Sequence, residues 1–169
     1  MEYKASLDIT SKIITGVVTV LFLCILSFSS WMIFSAPAWG TDSWVHLGSG
    51  CLILGIYVFT YAYRPAGYVV EKNQLTVQRP YSDYHLPMQE IKNISLVNKE
   101  VMKWTIRTFG VGGLFGYYGK FANRELGSMT WYATQLKNYV LIETTDNKKV
   151  IVTPDDTGMV MEIEKLLNG

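Results

Sequence analysis

The chain has 169 residues, 49% of them hydrophobic and only 17% charged, with a formal net charge of +1 at pH 7. That length holds one domain, or a small domain with an anchor. The near-neutral balance argues against nucleic acid as a partner, and two cysteines without CxxC or Cys/His spacing leave no thiolate metal site.

The apolar excess sits at the start. Residues 13–34, IITGVVTVLFLCILSFSSWMIF, carry no charge and span about 33 Å as a helix at ~1.5 Å per residue. Residues 44–63, WVHLGSGCLILGIYVFTYAY, are interrupted only by His46 and span about 30 Å on the same rise. Both match the hydrocarbon thickness of a bilayer, so two transmembrane helices are expected. A cleaved leader is the alternative for the first, with Ala36 and Ala38 as its cleavage signal. Its apolar core exceeds the usual ~7–15 residues, however, and Glu2 and Asp8 offset Lys4 and Lys12.

The connector 35–43 has one charge, Asp42, whereas Lys4, Lys12 and Arg64 flank the other helix ends. The positive-inside rule places both termini in the cytoplasm and the short connector outside. The expected division is 1–63, an N-terminal segment and helical hairpin, and 64–169, a cytoplasmic domain. Trp31, Trp39 and Trp44 would mark the outer interface, and Tyr57, Tyr61 and Tyr63 the inner one. Gly48, Cys51 and Gly55 form a small-residue stripe expected to face the first helix. Cys24 and Cys51 read as small packing residues within the spans.

After Arg64-Pro65 the pattern changes to short alternating stretches. Strands are expected at 67–72, 74–79, 84–87, 90–98, 128–134, 139–145 and 148–153, from β-branched and aromatic content between turn residues. Between them lies FGVGGLFGYYGKF, 109–121, which resembles a phosphate loop. The position five before Gly119-Lys120 is Leu114, however, and Phe121 stands where a magnesium-binding Ser or Thr belongs. Counting from Gly110 and Gly112, the third glycine of a dinucleotide fingerprint would fall on Phe115. Glycines three apart (110, 113, 116, 119) do not fit a flat strand of period two. They are read as kinks or close backbone approaches, with the aromatics 114–121 dividing between core and surface.

At the C-terminus, Thr153-Pro154-Asp155-Asp156 reads as a helix cap. Behind it Met159, Val160, Ile163, Leu166 and Leu167 form one apolar stripe. The fold class is therefore α+β: a two-helix hairpin, then a mainly antiparallel β barrel or sandwich closed by a C-terminal helix. The blocks RTFGVGGLFGYYGKF, YATQLKNYVLIET and KKVIVTPDD, in that order, resemble the bacterial PH-domain family, membrane proteins with a helical anchor and a pleckstrin-homology-like domain. The resemblance spans approximately residues 67–167 and implies a PH-like domain anchored in a bacterial inner membrane; a non-catalytic binding module is the expected role. Where that family often has Pro and an aromatic after the acidic pair, this chain has Thr157, Gly158 and Met159.

No catalytic set is legible. His46 lies at a helix end, His85 reads as a surface strand residue, and the spans lack the buried charges of transport pathways. No cofactor or metal is expected. Residues 72–124 hold eight Lys or Arg against three acids, a balance of +5. Within them Lys99, Lys103, Trp104, Arg107, Phe115, Tyr117, Tyr118, Lys120 and Arg124 form the candidate interaction cluster. The expected partners are the lipid bilayer and a protein, either another molecule or a second copy of this chain, with no nucleic acid. Alternative roles are reading an anionic lipid surface or serving as an accessory subunit of a transporter or envelope enzyme. Only Lys72 lies in the hairpin 69–77 that binds inositides in many PH domains, so that specificity is not expected.

Overall fold

The computed structural model describes residues 1–36 and 38–168. Pro37, inside the connector read as 35–43 and between the two alanines of the cleavage signal, lies outside them, as does Gly169. The chain opens with a strand the sequence did not signal, β1 (Glu2–Lys4). It continues into two long helices, α1 (Ile9–Ser35) and α2 (Thr41–Ala62). Both are long and apolar enough to cross a membrane. α1 starts four residues before the uncharged run because the Asp8 carboxylate accepts from the Ser11 N–H at 2.7 Å, satisfying an orphan donor of the first turn.

The two helices meet through a mixed seam. The Thr19 and Tyr57 hydroxyls lie 2.8 Å apart, the Phe22 and Tyr57 rings pack at 5.9 Å, and Phe28 meets His46 edge-on. Gly50 is where α2 comes close to α1, near Leu26. The expected small-residue face is not the seam. Gly48 and Gly55 face open space, and Cys51 is exposed, as is Cys24. At ~100° per residue those three positions lie about 100–160° around the helix from Gly50, on the outer side.

The β domain has two sheets. The first is antiparallel, in the order β1, β2 (Gly67–Val70), β3 (Gln74–Gln78), β4 (Tyr84–Pro87). The second runs β5 (Ile91–Val97), β9 (Tyr139–Thr144), β10 (Lys149–Val152), β8 (Gly127–Ala133), β7 (Gly116–Asn123), β6 (Ile106–Gly113). It is antiparallel except where β10 inserts parallel to β8. A short helix, α3 (Lys99–Met102), joins β5 to β6, and α4 (Met159–Leu167) ends the fold. The described strands do not close into a barrel. Each sheet keeps two outer strands, and α4 lies over the core instead of a continuous ladder doing so.

That core is built from the alternation expected of the strands. Val70, Leu75 and Val77 from one sheet meet Val140, Ile142, Val150 and Val152 from the other, and Met159, Val160 and Ile163 of α4 complete it. Tyr68, fully buried, stitches the two sheets. Its hydroxyl donates to the Tyr132 carbonyl at 2.6 Å and accepts from the Thr153 N–H at 3.1 Å. The six-stranded sheet carries a second apolar cluster on its other face, around Met129, Trp131 and Ile151.

α4 begins at Met159, five residues after Pro154, so the expected cap is not one. The Thr153 hydroxyl is buried and accepts from the Thr134 N–H at 3.0 Å. Asp155 holds Ser6, accepting from its N–H at 3.1 Å and its hydroxyl at 2.5 Å. Asp156 accepts from the Gly158 N–H at 2.8 Å, in the turn that precedes the helix. The acidic pair serves the junction with the N-terminal segment as much as the helix.

The glycine-rich stretch is the β6–β7 hairpin. Gly110 pairs with Gly119, and Gly113 with Gly116. At the first pair the strands come so close that a Cβ on Gly110 would sit 2.3 Å from the Tyr118 carbonyl oxygen, with φ at +115°. Gly110→Ala is therefore expected to destabilise the fold by at least ~2 kcal/mol. Gly127→Asn, at φ +70° in open space, should be close to neutral because Asn tolerates the left-handed region. Thermal unfolding of the two variants in micelles checks this contrast.

Candidate functional site

Two residues, Leu114 and Phe115, turn the β6–β7 hairpin, and Phe115 adopts φ +58°. A bulky residue there costs roughly 1–2 kcal/mol, offset here by what the ring reaches. It is buried edge-on between Tyr57, at 5.2 Å, and Tyr61, at 5.4 Å, on α2. The Phe115 N–H donates to the Thr15 hydroxyl at 2.9 Å, and the Ser11 hydroxyl donates to the Gly113 carbonyl at 2.7 Å. A Cβ on Gly113 would lie 2.6 Å from Ile14 Cδ1, so α1 seats directly on the hairpin. The Tyr118 hydroxyl donates to the Thr60 carbonyl near the end of α2. Burial raises its pKa, with the Arg64 charge opposing.

Asp8 completes the joint. Besides capping α1, its carboxylate accepts from the Leu136 N–H at 3.2 Å and from the Tyr117 hydroxyl at 3.3 Å. Burial raises the pKa of Tyr117 and lifts that of Tyr139 to about 12, and the Asp8 charge adds to both.

The nine candidate residues therefore part into three groups. Phe115, Tyr117 and Tyr118 are buried inside the chain and do not form an exposed patch. Phe115 and Tyr118 hold the helices, and Tyr117 faces the second apolar cluster. Lys99, Lys103 and Arg107 come together at the mouth of a cavity of about 770 Å³ on that same face. Trp104, 80% exposed, and Arg124 line a neighbouring cavity of about 630 Å³. Lys120 stands apart on the opposite face, donating to the Thr130 hydroxyl at 2.8 Å.

Several residues escaped the sequence reading. Ile106 (65% exposed) and Phe109 (78%) project from β6, an outer strand of the six-stranded sheet that is exposed from Ile106 to Gly110. Alternation around a bulge between Arg107 and Phe109 was the available signal. Arg64 and Arg79 are half-buried at the foot of α2. Arg64 lies 4.7 Å over Tyr61, and Arg79 lies 5.5 Å over Tyr63. Among the described residues neither has a carboxylate within 4.0 Å, and the Nε of each is buried without an acceptor. No group of three His, Cys, Asp or Glu among the described residues is placed to hold a metal ion.

A family model described as a bacterial PH domain matches residues 66–166, more than half of the chain, and the chain belongs to that family. No curated protein and no solved structure matches it.

The tyrosine environment predicts alkaline behaviour. Tyr68 and Tyr139 are held up to about 12 in the fold, chiefly by burial, against about 10 unfolded. The neutral phenols contribute full stability below pH 10, and it is lost as pH rises from 10 towards 12. Asp8→Asn removes the charge that adds to burial at Tyr139. Its ionisation should then move to lower pH, read by NMR of ring-labelled tyrosine.

Proposed function

We propose that this member of the bacterial PH domain family is a membrane-anchored, non-catalytic binding module that engages a protein partner beside the membrane. The observation that carries it is the state of β6. It is an outer strand, exposed from Ile106 to Gly110, and Ile106 and Phe109 on it and Trp104 just before it stand exposed. Free apolar edges are normally blunted by charge, bulges or covering elements. β6 has a bulge and Arg107 yet leaves both Ile106 and Phe109 exposed, whereas the opposite edge, β5, exposes one large apolar side chain, Leu96, beside Lys92 and Asn93. A partner segment adding as a strand would satisfy the β6 edge and bury its apolar side chains. Lys103, Arg107, Lys120 and Arg124 nearby favour a segment that alternates acidic and apolar residues.

The anchor is a membrane-spanning hairpin with both termini on the cytoplasmic side. β1 precedes α1 and β2 follows α2, yet the two pair from Glu2–Val69 to Lys4–Gly67. Chain entering and chain leaving the helices thus belong to one sheet, which supports an even number of crossings. The charge-poor connector supports the assignment of sides.

A second reading, contact with anionic lipid, is favoured by Arg64 and Arg79. Half-buried guanidinium groups lacking a carboxylate suit phosphate oxygens, which Arg binds bidentately. Salt separates the two readings, because lipid attraction weakens steeply with ionic strength and an apolar strand contact does not.

A photoactivatable residue at 108, in the full chain at native level in membranes, tests the partner. A discrete crosslinked protein is expected at low and high salt, lost when Ile106 and Phe109 are both changed to Lys. Crosslinks to lipid alone, in either form, would overturn the partner reading.

A further inference from the structure

We infer that the cavity on the outer face of β7–β8–β9 is a binding site for an anionic compound with an apolar body, such as an acyl or aryl phosphate or carboxylate. The partner-binding reading shares Lys103 and Arg107 with the rim of this cavity, but it uses the β6 edge and not the cavity itself.

The floor is aromatic. Phe121 and Trp131 stack at 4.4 Å with an interplanar angle of 18°, and Tyr139 meets Trp131 at 5.7 Å. Met102 of α3 borders the same space. At about 770 Å³ the cavity falls within the range of small-molecule sites, roughly 300–1,000 Å³. Four aromatic and thioether side chains, Met102, Phe121, Trp131 and Tyr139, border this open depression.

One polar atom in this floor is unfinished. Trp131 is 3% exposed, yet its indole N–H has no acceptor among the described residues. A buried tryptophan normally finds one, and leaving the donor unmet is costly. Its Nε1 is itself buried, so Trp131 offers the cavity its ring and not this donor. The Tyr117 hydroxyl is already committed to Asp8.

The mouth is cationic. Lys99, Lys103 and Arg107 border it against one acid, Glu100, whose carboxylate lies 3.8 Å from Lys103. Lys99 and Arg107 have no carboxylate within 4.0 Å among the described residues. The Arg107 guanidinium lies across Gly112, where a Cβ would come 3.0 Å from Nη1. Glycine at 112 thus lets the arginine lie along the lip. An apolar floor and a cationic rim select a ligand with an apolar body and an anionic head.

The far end lies near the membrane anchor. Leu136 and Gly112 border the cavity. The Leu136 N–H binds the Asp8 carboxylate that caps α1, and Gly112 adjoins the hairpin turn that α1 covers. Both the bilayer and the aqueous phase can therefore supply the ligand.

The test uses the full chain, labelled with 5-fluorotryptophan, in nanodiscs of zwitterionic lipid. The probes are 2-naphthyl phosphate, 2-naphthol and inorganic phosphate, with calorimetry alongside fluorine NMR. Saturable binding of naphthyl phosphate that moves the Trp131 resonance is expected, with the other two probes at least tenfold weaker. Lys103→Gln with Arg107→Gln, both exposed and harmless to folding, should weaken it on the order of tenfold or more, given ~1.5–3 kcal/mol for hydrogen bonds to charged groups. Replacing part of the lipid by an anionic phospholipid assigns the source. If bilayer lipid occupies the cavity, the Trp131 resonance moves without added probe and naphthyl phosphate binds more weakly. If the ligand is soluble, both stay as they were. Naphthol binding as tightly as its phosphate, indifference to the rim substitutions, or a Trp131 resonance that no probe moves would each overturn the proposal.

Discussion

The joint between helices and sheets depends on one carboxylate. Asp8 caps α1 through the Ser11 N–H, accepts from Leu136 after β8, and receives the Tyr117 hydroxyl from β7. Its own N–H donates to the Thr134 carbonyl at 3.1 Å. A helix has orphan N–H groups and a partial positive charge at its start. Here the group that meets both needs also fixes the rotation of α1 against the sheet. With that rotation set, Ser11, Ile14 and Thr15 face the β6–β7 hairpin, and Phe115 falls between Tyr57 and Tyr61.

This joint explains why an unusual hairpin is kept. Glycines in paired positions let β6 and β7 approach closely, and a positive φ at Phe115 turns the ring back towards α2. A regular hairpin with ordinary side chains would stand away from the helices and leave their polar seam, Thr15, Thr19 and Tyr57, without cover. Strain in the turn and burial at its tip are two sides of one arrangement.

The six-stranded sheet then has two different faces. The side of β9 and β10 that meets the first sheet is filled by branched aliphatic residues and sealed by α4. The other side is lined by larger aromatic and thioether residues, covered only partly by α3, and edged by cations. Rigid packing on one side allows openness on the other. This division of labour suits a binding module, since the open surface contributes less to holding the fold together.

Much was legible in the sequence because it depends on local periodicity. The uncharged runs marked both long helices, alternation located seven of the ten described strands, and the apolar stripe 159–167 located α4. β1 was missed because three residues carry no periodic signal, and they become a strand only by pairing with β2, on the far side of both long helices. The Thr153-Pro154 cap failed because a buried backbone N–H, that of Thr134, claimed the Thr153 hydroxyl. Of the candidate cluster, the cationic members could be proposed from sequence because charge is visible in composition. Its aromatic members were ambiguous, since Phe115 and Phe109 look alike in sequence although one is buried and the other exposed. By itself the sequence determined an apolar hairpin, a β domain of a known family and a basic half, all consequences of composition and short-range pattern. Only the tertiary structure decided which face each aromatic occupies, which strand is left at an edge and which donor is left unmet. These depend on register and on contacts between residues far apart in the chain.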